Sequence, residues 1–235
     1  MKLLLFDIDG TLVSTGGAGG RAMAHAAREL FKIDDGVGSI SMAGRTDAWI
    51  VGQMAAACKV PYSRRLLERF REIYLPQLAR EIHEPGPQKG MCPGIRPVLE
   101  ALALRPDAHL ALLTGNFEEG ARIKLEYFDV WQFFSSGAFG DSTPDRNSLL
   151  GVAIDRVRAL GGPAVALADV VIIGDTPLDV AVALAGGARS LAVATGGYSA
   201  EELKASGADV VLNDLSDVNA ALDGMGLRGR TAGPG

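Results

Sequence analysis

Leu3-Leu4-Leu5-Phe6-Asp7-Ile8-Asp9-Gly10-Thr11 is the stretch that decides the fold. Four apolar residues run without a break into an acidic turn. Such a run marks a strand covered on both faces, as in a parallel sheet. Strands of open parallel sheets end at a crevice where ligands bind. Asp7 and Asp9 are expected at that edge, on one side, because side chains two apart share a face. Gly10 lets the chain turn sharply afterwards. Two carboxylates at a strand end can hold a hard cation, and one can act as a nucleophile.

Working outward, Ser14 to Gly20 reads as a flexible glycine-rich connector. Apolar residues then recur at helical spacing in three segments: Met23 to Phe31, Ile50 to Cys58 and Leu66 to Leu78, the last expected to kink at Pro76. No buried-strand run appears between 14 and 88. Glu84 to Gly90 is a second breaker-rich connector. The block is therefore expected to be a helical insertion hinged on a main domain.

From residue 91 onward, strand and helix patterns alternate. His109 to Leu113 and Val170 to Ile173 read as buried strands, and a weaker one is expected around Phe134 to Phe139. Leu191 to Val193 and Val210 to Leu212 complete the set. Alternating units of this kind predict an α/β fold, a doubly wound parallel sheet with helices on both faces. The expected division is 1–13 with 89–225 as core, 14–88 as helical insertion and 226–235 as a disordered tail. Asn116 with Glu119 reads as a capping pair opening the helix after the second strand.

Three strands thus end in Asp7 and Asp9, in Thr114, and in Asp175, with Asp179 one helical turn further on. Carboxylates gathered at one edge need a cation, and oxygen ligands without a His/Cys cluster point to Mg2+.

These residues resemble the haloacid dehalogenase (HAD) superfamily, and most of all its phosphoglycolate phosphatase-like members. Asp7-Ile8-Asp9-Gly10-Thr11 resembles the first motif, Leu113-Thr114-Gly115-Asn116 the second, and Gly174-Asp175-Thr176-Pro177-Leu178-Asp179 the fourth. The insertion lies where that family carries its helical C1 cap. The resemblance implies a Rossmann-like core and a phosphatase for a small phosphorylated metabolite. It implies Asp7 as nucleophile and Asp9 as general acid and base. It also implies Mg2+ held by Asp7, Asp175 and the backbone carbonyl of Asp9, with Asp179 shaping that shell. Thr114 would bind phosphate, with Gly10, Thr11, Gly115 and Asn116 lining the substrate. The third motif is usually a lysine; here Arg146 stands in that region, and Lys124 is expected not to aim at the site. Arg45, in Gly44-Arg45-Thr46-Asp47, is a candidate for a substrate carboxylate or second phosphate. Arg21 is a lesser one. A phosphomutase, or a catalytically silent phosphate-binding regulator, remains open on the same residues.

Composition bounds the rest. The 235 residues are 48% hydrophobic with a formal net charge of -5, which suits a packed core and argues against a nucleic-acid partner. No apolar stretch is long enough for a membrane, and Asp7 and Asp9 interrupt the first one too early for a secretory signal. Cys58 and Cys92 match no metal or redox spacing. A cytoplasmic monomer or small homo-oligomer is expected. His25, His83 and His109 are too scattered to form a site.

Overall fold

The computed structural model describes residues 1–33, 40–141 and 143–227. Strand β1 (Lys2–Phe6) lies at the centre of the sheet. Leu4 and Phe6 enter a cluster with Val98, Leu99, Leu125 and Leu222 on one face. Leu3 and Leu5 enter another with Leu149, Val157 and Val182 on the opposite face. That two-sided cover explains why no polar residue interrupts the run. Truncating one of these leucines to alanine would cost about 2–5 kcal/mol.

A short strand β2 (Val13–Ser14) leads into helices α1 (Ala18–Phe31), α2 (Asp47–Ala57) and α3 (Arg64–Glu81). Strand β3 (Gly90–Met91) brings the chain back, antiparallel to β2. Then follow α4 (Ile95–Ala103), β4 (Ala108–Leu113), α5 (Glu118–Tyr127), β5 (Gly137–Ala138) and α6 (Leu149–Ala159). The last elements are β6 (Val170–Gly174), α7 (Pro177–Gly186), β7 (Arg189–Val193), α8 (Ala200–Ala205), β8 (Val210–Leu212) and α9 (Val218–Gly224). The sheet runs β5-β4-β1-β6-β7-β8, parallel throughout. Strands are added outward on one side of β1 (β4, β5) and then on the other (β6 to β8), so the crevice at its carboxyl end is the expected ligand position.

Several local expectations are corrected. Helix α1 begins at Ala18, inside the expected connector, because Gly17 turns the chain at φ 82 and buried Ala18, Ala22, Ala26 and Ala27 offset the low propensity of two glycines. The two connectors are also laid against each other: a Cβ on Gly86 would lie 2.0 Å from the carbonyl oxygen of Gly16. Helix α3 carries Pro76 inside its span and continues to Glu81. The strand expected at 134–139 is only Gly137–Ala138, an edge pairing with Leu112 and Leu113. Of the tail expected to be disordered, 228–235 lie outside the described residues. Leu227 is buried and its N–H donates to the Leu222 carbonyl at 2.8 Å, which ties the chain to α9.

Helices α1 to α3 share a separate cluster including Met23, Met54, Phe70 and Leu78. Phe117, just before α5, joins it. Among the described residues, no helix is long and apolar enough to cross a membrane.

Candidate active site

β4, β1 and β6 are neighbours, so the residues that follow them meet at one edge. Asp7, Asp175 and Asp179 are all buried, and one carboxylate oxygen from each lies within 4.8 Å of the others. Asp179 is aimed by a capping box at the start of α7: the N–H and hydroxyl of Thr176 donate to its Oδ2 at 3.1 and 2.7 Å. Gly10 closes the first turn at φ 81, and a Cβ there would stand 2.4 Å from Asp175 Oδ2. The site thus requires glycine for both conformation and space.

Arg146, on a single 3-10 turn before α6, reaches this cluster from the opposite side. Its Nη2 lies 3.1 Å from Asp7 Oδ2 and also donates to Asp179 Oδ1. The position read as a replacement for the usual lysine is therefore at the carboxylates. Burial opposes its charge, but Asp179 and Asp7 outweigh that and hold the guanidinium's pKa above its ordinary value. Burial lifts Asp7 to about 6 against the pull of Arg146, with Asp179 adding to the rise. Burial, Asp179 and Asp7 push Asp175 well above the carboxylate range. Three buried, oxygen-only ligands crowded this way fit a hard divalent cation.

Asp9 does not share this environment. Its carboxylate is 45% exposed and accepts from Lys124 Nζ at 2.8 and 2.6 Å and from Asn116 Nδ2 at 2.9 Å. Lys124 Nζ also donates to Asn116 Oδ1 at 2.6 Å. The expectation that Lys124 points away from the site is thereby corrected. It lies on the buried stripe of α5 with Gly120, Ala121 and Leu125, and a lysine on an apolar stripe was the signal available in the sequence. The expected Asn116–Glu119 capping pair does not form, because Asn116 is turned to Asp9 and Lys124. The N-terminus of α5 is met instead by other carboxylates: Asp47 Oδ2 accepts from Phe117 N at 2.7 Å and Asp141 Oδ2 from Glu118 N at 2.9 Å.

A cavity of about 330 Å³ opens over these groups. Asp7, Asp9, Gly10, Gly115, Asn116, Lys124, Arg146 and Asp175 line its floor, and Met23, Met42, Arg45, Asp47, Ile50 and Tyr74 come down from the helical block. Thr114 and Thr11 are not among the lining residues. Thr114 Oγ1 is enclosed and accepts from Asn116 Nδ2 at 2.8 Å. The Thr11 hydroxyl donates to Asp175 Oδ1 at 3.0 Å. Arg45 stands exposed at the rim with its guanidinium 4.5 Å from the centre of the Trp49 ring. Arg21 is tied to Glu81 and to the Gly16 carbonyl and does not line the cavity. Asp47 and Tyr74 were not singled out from sequence. Burial lifts Asp47 to about 7, opposed by Lys124 and the Phe117 N–H. The two cysteines are free thiols, and burial pushes Cys92 to about 12.

Comparison with known proteins places the chain in a family. The family model for haloacid dehalogenase-like hydrolases matches residues 4–184. The probable phosphatase IndB of Dickeya dadantii is 27% identical over 225 residues, covering 93% of this chain and 92% of that protein. A phosphoglycolate phosphatase of Caulobacter vibrioides is 27% identical over 226 residues, covering 93% and 89%. A crystal structure of a hydrolase from Pseudomonas syringae superposes with a TM-score of 0.70 at 22% identity, covering 95% of this chain and 98% of that one. The matched span carries β1, β4 and β6 with every carboxylate of the cluster, and the chain belongs to the haloacid dehalogenase-like hydrolase family.

Proposed function

We propose that the chain is a Mg2+-dependent phosphatase that hydrolyses a small phosphorylated metabolite of phosphoglycolate size through an aspartyl-phosphate on Asp7. The observation that carries this reading is the placement of Asp7, a buried carboxylate on the cavity floor between Arg146 and two further carboxylates. Four acids, Asp7, Asp9, Asp175 and Asp179, face two cations, Arg146 and Lys124, an acidic excess that a divalent cation would relieve. Asp7, Asp175 and the Asp9 carbonyl would hold that ion, with Asp179 shaping its surroundings. When bound, Mg2+ supplies charge neutralisation for an incoming phosphate.

The chain's own residues supply the rest. Phosphoryl transfer demands positioning and charge stabilisation more than covalent assistance. Arg146 holds Asp7 in place, and its charge offsets those of Asp7 and Asp179 beside it. Asp9 is half-exposed and separated from Asp7's cation, which suits it to protonate a leaving alcohol and later activate water. Gly115 lines the cavity with its backbone, while the Asn116 amide is engaged by Asp9 and by Thr114 behind it. Residues 14–88 act as a cap that closes the cavity against water, over a core of 1–13 and 89–225. Arg45 at the rim is positioned for a substrate carboxylate or second phosphate.

Release of inorganic phosphate from p-nitrophenyl phosphate, with Mg2+ and with chelator, tests the reading. Turnover that requires Mg2+ supports it; undiminished turnover in chelator overturns it.

A further inference from the structure

Asp47 belongs to the helical block in sequence, yet its carboxylate acts on the core. It is the first residue of α2 and 5% exposed, and its Oδ2 accepts the Phe117 N–H at 2.7 Å. Phe117 is the N-cap position of α5, and its own side chain makes no cap. The first N–H groups of a helix lack internal partners, and a carboxylate there also complements the helix dipole. Backbone bonds seat Asp47: its N–H donates to the Gly115 carbonyl at 2.7 Å, and Ala48 N–H to the Gly140 carbonyl at 3.3 Å. Seven residues after Phe117, on the same rigid helix, Lys124 has all three ammonium protons engaged by Asp9 Oδ1, Asp9 Oδ2 and Asn116 Oδ1. Where α5 begins therefore sets where Lys124 ends.

We infer that Asp47 is a positioning residue for the acid–base Asp9, which it orients by capping α5 from the helical block and so fixing the reach of Lys124. The inference rests on the acid–base reading of Asp9 given above. Its consequence is that the proton donor is fully set only while α2 is seated on the Gly115 loop. Substrates with poor leaving groups, which need that proton, depend on Asp47 most.

The test compares kcat and KM on p-nitrophenyl phosphate and on ethyl phosphate, in the full chain with Mg2+. Asp47→Ala is expected to lower kcat about tenfold or more on ethyl phosphate and only a few-fold on the aryl ester, as misplacement of a catalytic group commonly does. KM should change little on either. Asp47→Asn should recover most of the loss, since an amide oxygen still accepts the Phe117 N–H. In a Lys124→Met background, Asp47→Ala should add nothing, as coupled residues behave. Equal losses on the two esters, an Asp47→Asn as poor as Asp47→Ala, or a full effect without Lys124 would each overturn the inference. Should Asp47→Ala not fold, Asp47→Glu carries the same comparison, its longer arm displacing α5; an unselective Asp47→Glu overturns the proposal. Asp9→Asn separates the two levels. If it loses both esters equally, the acid–base reading falls and this inference with it. If it is selective while Asp47→Ala is not, this inference alone falls.

Discussion

Lys124 holds Asp9 by both carboxylate oxygens, at 2.8 and 2.6 Å, while Asp7, two residues earlier, is held by Arg146 at 3.1 Å. Two acids at one strand end therefore have separate cations and separate surroundings. One is buried among like charges; the other is half-exposed beside an ammonium. Groups so divided are suited to different tasks in one reaction.

Lys124→Met should lower kcat about tenfold or more on an alkyl phosphate and leave the fold intact. Asp9 is 45% exposed and can hydrate, and buried Asp47, which Lys124 also offsets, can keep its proton instead. Steady-state kinetics with a thermal melt checks both halves. A large loss of Tm would show that the pair is structural instead.

Arg146→Ala should behave differently. It leaves Asp7 and Asp179 buried without their partner, a change that costs roughly 3–5 kcal/mol when one member of a buried pair is removed. It should also lower kcat by about a hundredfold or more, as loss of a charge-stabilising group does. Arg146→Lys should restore part of each, since charge returns without the planar fork. Kinetics on an aryl phosphate and urea unfolding provide the two readings. A fully active, fully stable Arg146→Ala would remove Arg146 from the site.

The carboxyl pKa values fix the sign of a pH effect. Burial holds Asp7 at about 6 and Asp47 at about 7, against an ordinary 3.8. Between those limits the native chain keeps protons that the unfolded chain has released, so stability falls as pH rises through the window. In chelator, Tm should be lower at about pH 7.5 than at about pH 5. The lowered acids, Asp107, Asp169, Glu81 and Glu202, pull the other way, but they are exposed or partly exposed, where pairing contributes little. Mg2+ needs deprotonated ligands, so its stabilisation should be larger at the higher pH. Calorimetric melts at both pH values decide it; a Tm in chelator that rises with pH contradicts the account.

Gly115→Ala probes the seating of α2. A Cβ there would lie 2.0 Å from the Arg45 carbonyl oxygen, and backbone cannot yield as a side-chain tip can. The variant should fold, because β4 ends before it, yet lose kcat on alkyl phosphates together with the Asp47 bond. A Gly115→Ala enzyme with wild-type kinetics would show that the loop accommodates the methyl without disturbing the helix.

The sheet was legible because β1, β4 and β6 are apolar on both faces, a pattern that few other structures share. The carboxylates were legible because Asp7 and Asp175 follow such strands directly and Asp179 lies one helical turn beyond Asp175. What escaped depends on contacts between segments distant in sequence. Asp47 looks like an ordinary first-turn acid of α2, and nothing local reveals that it caps another helix seventy residues on. Lys124 was expected not to aim at the site, because its partner Asp9 lies 115 residues away in sequence. Thr11 and Thr114 were placed at the substrate by their motifs, whereas packing turns their hydroxyls toward Asp175 and Asn116. Connectors rich in glycine read as loose, but Gly16 and Gly86 are small so that two segments of the chain can touch.

The central claim is that Asp7 carries the phosphoryl group, and it has a direct measurement. Enzyme turning over p-nitrophenyl phosphate with Mg2+ is quenched in acid, digested, and the peptide containing Asp7 is weighed by mass spectrometry. The account predicts a phosphorylated Asp7 in the wild-type protein, its absence from Asp7→Asn, and no turnover by that variant, since a neutral amide cannot attack phosphorus. Sustained turnover by a folded Asp7→Asn, with no phosphoryl group on the peptide in either protein, would contradict it.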